Sequence, residues 1–316
     1  MNKFKHIDAT TVAEAAAALA GGKAAILAGG TDLLTTLKDF INPTQPETLV
    51  NIKTIPGLDY IKEESGTLKI GALTKLADIY ESSLVQSKYA SLAEAAHKVG
   101  TPQLRNMGTL GGNLCQECRC WYYRGMNNFF HCYRKGGTIC LAVAGDNTYN
   151  AILGGQVCFA VCPSDTAIAL SALNATIVTN KRNMPIADLF IVMGDTLAAD
   201  EIITEVQVPV PAAGVKQAFI KLSHRKSFDF AYASAAVALT MSGTTVSDCR
   251  IVLGGVSPIP YRSADAETAL KGKAIDAANA EAAGTAAVSK AMVLPKNGWL
   301  KQEAKIVVKR AILEAK

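Results

Sequence analysis

Nothing in the sequence reads as a membrane segment: no stretch reaches the roughly 18 uninterrupted apolar residues of a spanning helix. The opening Met-Asn-Lys-Phe-Lys-His-Ile-Asp has no apolar centre and no small-residue cleavage site, so a cytoplasmic location is expected. Basic blocks are missing as well. The 32 Lys and Arg are scattered against 27 Asp and Glu, a net charge of only +5 that gives nucleic-acid binding little support. Charged residues are sparse at 19% against 49% hydrophobic, which excludes a disordered chain and suits one that buries a core. Neither G-x-G-x-x-G nor the P-loop pattern occurs, so the two commonest nucleotide fingerprints are absent. No acid, base and nucleophile constellation demands a hydrolytic role, and no internal repeat is visible.

The 316 residues suffice for two domains, each with its own core. Strong helix formers at 11–20, with Thr10 or Thr11 placed to cap them, predict a first helix. The apolar run 24–28 reads as a strand ending at Gly29-Gly30, followed by a helix start beyond Thr31-Asp32. Further strands are expected at 48–52 and 68–70 and helices near 76–80 and 91–99. From Gly108 to Ser164 periodicity fades into Gly, Asn, Cys and aromatic residues, and a span of that length without regular structure is usually functional. A helical segment begins at Asp165 and runs toward the apolar pair at 177–178. The break at Pro209, Pro211 and Gly214 suggests a domain boundary. Beyond it, 216–223, 232–241 and 250–256 read as strands, the second ambiguous because of its alanines, and 264–270 and much of 275–315 as helix.

Two glycine turns stand out. Leu27-Ala28-Gly29-Gly30-Thr31-Asp32-Leu33 follows a predicted strand, and Gly108-Thr109-Leu110-Gly111-Gly112-Asn113 lies further on. Glycines let backbone N–H groups approach a phosphate, and a helix start beyond them offers unpaired donors. A tight turn alone explains one such pair. Two in one domain, each with a hydroxyl, suit a diphosphate whose charge is spread over several oxygens.

Together with Thr101-Pro102-Gln103-Leu104-Arg105-Asn106 and Ser164-Asp165-Thr166, these turns make the whole chain resemble the flavin-binding medium subunit of the xanthine dehydrogenase and molybdenum-hydroxylase family. The resemblance implies an α+β architecture. A two-subdomain FAD-binding domain of the vanillyl-alcohol-oxidase (PCMH-like) type would span 1–211, with a cysteine-rich insertion at about 115–162. A small α+β C-terminal domain, an antiparallel sheet with helices, would span 215–316. The implied FAD contacts are Leu27 through Leu33, Thr101 and Thr109 through Asn113. Asp165 would bond the ribityl or adenosine portion, although it could equally be a helix N-cap. Lys221, in Lys221-Leu222-Ser223-His224-Arg225-Lys226, would bring a cation to the flavin; a solvated basic loop is the plainer reading.

Seven of the eight cysteines, Cys115, Cys118, Cys120, Cys132, Cys140, Cys158 and Cys162, fall within 48 residues, whereas Cys249 stands alone in a predicted strand. Inert cysteines scatter as small hydrophobes, so this density argues for shared chemistry. Four thiolates hold an iron–sulfur cluster or a structural zinc, and spacing does not separate the two. The insertion is similar to that of the 4-hydroxybenzoyl-CoA reductase medium subunit, which implies a [4Fe–4S] cluster on Cys120, Cys132, Cys140 and Cys158. Cys118 is the nearest substitute ligand, and Cys115 and Cys162 pack nearby. The aromatic residues 121–123, 129–130 and 133 would give the insertion a small core.

The resemblance also implies an oxidoreductase complex in which this chain binds FAD and no organic substrate. A small [2Fe–2S] subunit and a large molybdenum-cofactor subunit would complete a heterotrimer that could dimerise, and NAD or a ferredoxin-like protein would be the soluble carrier. A stand-alone flavin oxidoreductase with a zinc-stapled loop is the alternative.

Overall fold

The computed structural model describes residues 1–315. The chain begins as a three-stranded parallel sheet in the order Lys5–Asp8, Thr48–Asn51, Ala24–Leu27. Helix Val12–Leu19 joins the first and last of these strands and buries Ala15 and Leu19 against them. Thr11 caps it, accepting from Glu14 N at 3.1 Å.

A second sheet is antiparallel, in the order Ile61–Glu64, Thr67–Gly71, Ile203–Pro209, Thr176–Thr179, Asn183–Pro185. Helices Leu76–Glu81, Ala90–His97 and Asp165–Ala172 share its largest core, in which Leu68, Ile70, Leu92 and Ile168 are almost fully excluded from water. The segment after Asp165 is therefore helix, turn and then strand, because the αL residue Asn174 (φ 57°) ends the helix.

The third sheet, Lys216–Leu222, Ala233–Ser242, Thr245–Gly254 and Tyr261–Arg262, is antiparallel throughout. The alanine-rich second strand is a strand after all: both faces are covered, and small side chains let helices Asp165–Ala172 and Leu300–Glu314 pack close. Residues 275–315 form two helices, Ala277–Ala287 and Leu300–Glu314, separated by a loop. The architecture is thus α+β: a two-part domain followed by a smaller sheet-and-helix domain. Among the described residues no helix is long and apolar enough to cross a membrane.

The stretch 115–162 contains only two single-turn 3-10 helices, at Met126–Asn128 and Tyr133–Lys135. Tyr123, Cys118, Cys132, Cys158 and Ala160 give it a small core with Ile41. The other aromatics do not all join it; Trp121 and Phe129 are exposed. Its tail is welded to the second domain. Ile152 and Leu153 lie in that domain's core, and both donate to Val256 O at 3.0 Å. The buried Asn297 donates to Asn150 O at 3.0 Å, and Tyr149 stacks on Tyr232 with ring centroids 5.2 Å apart.

Candidate cofactor site

Strand Ala24–Leu27 delivers the chain to Gly29 and Gly30 at the edge of the parallel sheet. Gly30 has φ +72°, a conformation that side chains rarely adopt. Gly29 is required for a different reason: a Cβ there would stand 2.1 Å from Met107 O, so the two glycine turns lie directly against each other. The amides of Gly29, Gly30, Thr31, Asp32 and Leu33 have no hydrogen-bond acceptor among the described residues. Five successive donors thus stand free at the start of helix Leu33–Lys38.

The second turn is built differently. Thr109 caps the short helix Leu110–Leu114 and accepts from Gly112 N at 3.2 Å. Leu110 N and Gly111 N donate to Thr74 O and Ala72 O, each at 2.9 Å, and Asn113 N donates to Thr109 O. The amides of Leu110 through Asn113 are therefore spent inside the fold, so the two turns are not equivalent amide cradles. The second contributes close-fitting wall instead. Asn113 Oδ1 accepts from Ser164 Oγ and Thr166 Oγ1, both at 2.6 Å, which ties this turn to the Ser-Asp-Thr segment.

The two turns border a cavity of about 750 Å³. Ala28 through Leu33, Thr109, Gly111, Gly112, Asn113, Asp165 and Lys221 all line it. Leu27, Thr101 and Leu110 stand outside the lining. Leu27 ends a strand, Thr101 caps the turn Pro102–Arg105 by accepting from Leu104 N, and Leu110 is wholly buried. Asp165 is not the N-cap of its helix, since Ser164 accepts from Ala167 N. Lys221 is not in a solvated loop; it sits on strand Lys216–Leu222, with its ammonium 2.7 Å from Asp165 Oδ2 and 3.0 Å from Lys98 O. Burial pushes the Asp165 carboxyl up, and the Lys221 charge draws it back.

Several wall residues carried no sequence signal. Phe228 and Phe230 reach the cavity from the loop after Lys221, Arg119 and Arg124 from the insertion, and Glu201 from far downstream. Burial would raise the Glu201 carboxyl, but bonds from Arg182, Ala198 N and Thr179 outweigh it and hold the group at about 2. Cys115 lies on the cavity wall with its surface open to it, and the protein packed around it pushes its thiol up to about 12.

A cavity walled by free amides and a buried cation, without a nucleophile–base pair, suits a phosphate-bearing cofactor. Residues 2–211 match the family model described as the FAD binding domain in molybdopterin dehydrogenase, and 218–302 match the CO dehydrogenase flavoprotein C-terminal domain. The chain belongs to the FAD-binding medium subunits of the molybdenum hydroxylases. It is 33% identical to the aldehyde oxidoreductase FAD-binding subunit PaoB of Escherichia coli, over 87% of this chain and 89% of that one. It is 32% identical to the carbon monoxide dehydrogenase medium chain of Hydrogenophaga pseudoflava, over 91% and 86%. The solved carbon monoxide dehydrogenase of that organism superposes with a TM-score of 0.78 at 30% identity, covering 98% of this chain and 96% of that one. Its relatives are subunits of oxidoreductases, and this medium subunit is one too.

Cys120, Cys132, Cys140 and Cys158 of this medium subunit, drawn from across the insertion, line one small pocket with room for about one water (≈ 10 Å³). Among the described residues no three His, Cys, Asp or Glu side chains stand in a single-ion geometry. The donor set is nevertheless wholly sulfur and already receives hydrogen bonds, from Asn150 Nδ2 to Cys120 (3.7 Å) and from Ala160 N to Cys158 (3.4 Å). A hydrogen bond between Cys140 and Cys158 lowers the Cys140 thiol to about 6 and raises that of Cys158. Of the remaining cysteines, Cys118 shares the insertion core just outside the pocket, Cys162 packs in the core of the antiparallel five-stranded sheet, and Cys249 lies in the C-terminal core.

Proposed function

We propose that this medium subunit relays electrons between a molybdenum-bearing partner and a soluble carrier through FAD and a [4Fe–4S] cluster, within a domain spanning 1–211 that is followed by a second at 215–316. The observation that carries the FAD assignment is the run of free amides from Gly29 to Leu33, pressed against the second turn where Gly29 admits no Cβ. FAD is the group able to exchange one electron with clusters and two with a carrier. The chain's part is positional. Amides of the first turn hold a diphosphate, Thr109, Gly112 and Asn113 close over it, and the Lys221–Asp165 pair lies where the cavity meets the second domain. Phe228 and Phe230 limit water at the rim.

The convergence of Cys120, Cys132, Cys140 and Cys158 on one all-sulfur pocket supports the cluster, as does the similarity of the insertion to that of the 4-hydroxybenzoyl-CoA reductase medium subunit. Ala28 through Leu33, Thr109, Gly111, Gly112, Asn113, Asp165 and Lys221 are the proposed cofactor contacts. The proposed partners are a small [2Fe–2S] subunit and a large molybdenum-cofactor subunit, with NAD or a ferredoxin-like protein as carrier, in the cytoplasm. That the relatives are named as subunits and chains of larger enzymes favours this over a stand-alone flavoprotein.

The test is a visible spectrum with iron and zinc analysis on anaerobically purified protein. Flavin bands with broad iron–sulfur absorption are expected, and Cys132→Ser should lose the iron while keeping FAD. Zinc in place of iron, or full iron in Cys132→Ser, would refute the cluster assignment; a colourless protein unable to take up FAD would refute the whole. Copurification identifies the partner chains.

A further inference from the structure

Asp32 immediately precedes helix Leu33–Lys38, where an aspartate ordinarily accepts from the first helical amides. It forms no such cap bond. Its carboxylate instead takes Arg119 Nη1, Arg124 Nη2 and Glu117 N, each at 2.8 Å. All three donors belong to one short stretch of the insertion, and the two arginines flank Cys120, a wall of the four-thiol pocket. Arg124 Nε is also fixed, donating to Cys118 O at 2.8 Å, and the Arg119 guanidinium lies 4.6 Å from the Phe230 ring centroid. Meanwhile the backbone of Asp32 belongs to the free amide run. One residue therefore grips the insertion with its side chain and faces the cofactor cavity with its main chain.

We infer that Asp32 couples the two sites, so that FAD binding at the amide run and ordering of the thiol pocket reinforce each other through the Asp32–Arg119–Arg124 triad. Two charge-assisted hydrogen bonds and an ion pair on a carboxylate whose side chain is only 20% exposed make the turn and the stretch 117–124 move as one body. Breaking one partner strands the opposite charge in a poorly hydrated place, so the triad holds all its bonds or loses them together. Linkage is reciprocal: whatever affinity FAD gains from an ordered insertion, the insertion gains in order from bound FAD. The inference rests on the FAD reading and does not depend on which metal, if any, the thiols hold.

The chain carries its own reporters. Cys115 faces the cofactor cavity and registers FAD directly, Cys120 and Cys140 are half-buried at the thiol pocket, and Cys249 lies in the remote C-terminal core. Full-length protein, stripped of flavin and metal under chelator, is alkylated with iodoacetamide with and without saturating FAD, and each cysteine is followed by mass spectrometry. In the native chain FAD should slow Cys115 and also slow Cys120 and Cys140 by at least about fivefold, the lower end of site–site coupling, with Cys249 unchanged. In Arg124→Lys, which keeps the charge but not the paired geometry, saturating FAD should still slow Cys115 but no longer Cys120 or Cys140. Arg119→Lys should show the same uncoupling and serves if Arg124→Lys does not fold. Pocket cysteines indifferent to FAD while Cys115 is shielded, or a variant that keeps their protection, would overturn the inference. Failure of FAD to shield even Cys115 would instead refute the cofactor reading, and the coupling with it.

Discussion

Gly29→Ala is the smallest change that tests how the cofactor turn is built. The new Cβ would stand 2.1 Å from Met107 O and 2.8 Å from Met107 C, both backbone atoms that cannot rotate aside. Ordinary contact begins near 3.4 Å, so the two glycine turns must separate by more than about 1 Å. Overpacking of this kind costs roughly 1–3 kcal/mol in stability. The larger effect falls on the ligand. If the shift takes one amide out of reach of the diphosphate, a charge-assisted bond of about 1.5–3 kcal/mol is lost, which weakens FAD binding roughly 10- to 150-fold. Quenching of flavin fluorescence during titration of stripped protein measures this directly. Gly21→Ala is the control, because nothing lies within 4 Å of a Cβ at that surface turn. Native FAD affinity in Gly29→Ala would show that the turn does not hold the diphosphate.

Gly111→Val, with its Cβ 3.1 Å from that of Ala72, should release FAD while leaving the metal content of the thiol pocket intact, as flavin and metal analyses of one preparation would show. Lys221→Met strands Asp165 in a site where both side chains are less than a tenth exposed; about 3–5 kcal/mol should be lost in urea unfolding, with partial recovery when Asp165→Asn is added. Glu201 has a folded-state pKa of about 2, below its ordinary 4.5, so its contribution is complete above pH 4.5 and is lost as pH falls toward 2. Melting temperatures of native protein and Glu201→Gln should therefore converge on acidification from pH 5 to pH 3, and a constant difference would contradict the assignment.

The glycine turns and the cysteines were legible in the sequence because each is a residue type whose cost needs a reason: φ +72° at Gly30, no room at Gly29, four thiols at one pocket. Several strands were legible as apolar runs and the helices from their alanine and leucine content, although short edge strands such as Lys5–Asp8 and Ile61–Glu64 carry too few apolar residues to show. The identity of the free amides was not legible. Both turns have similar composition, yet the second spends its donors on Ala72 and Thr74, a pairing set by the neighbouring strand end. Asp32 stands in the sequence only as a carboxylate before a helix start, and only the folded chain brings Arg119 and Arg124 to it across more than 80 residues. Glu201, Phe228 and Phe230 reach the cavity by topology, with no local pattern to mark them.

The way the tail of the cysteine-rich stretch is sewn into the second domain bears on how such a stretch could be gained or moved. Val256, Asn297 and the Tyr149–Tyr232 stack clasp it from three separate loops. Transplanted alone into a simpler medium subunit, it would arrive with Ile152 and Leu153 uncovered and with no asparagine to donate to its carbonyls. A working graft must carry the loop around residues 291–299 with it, so the wiring and the domain that braces it are a single heritable unit.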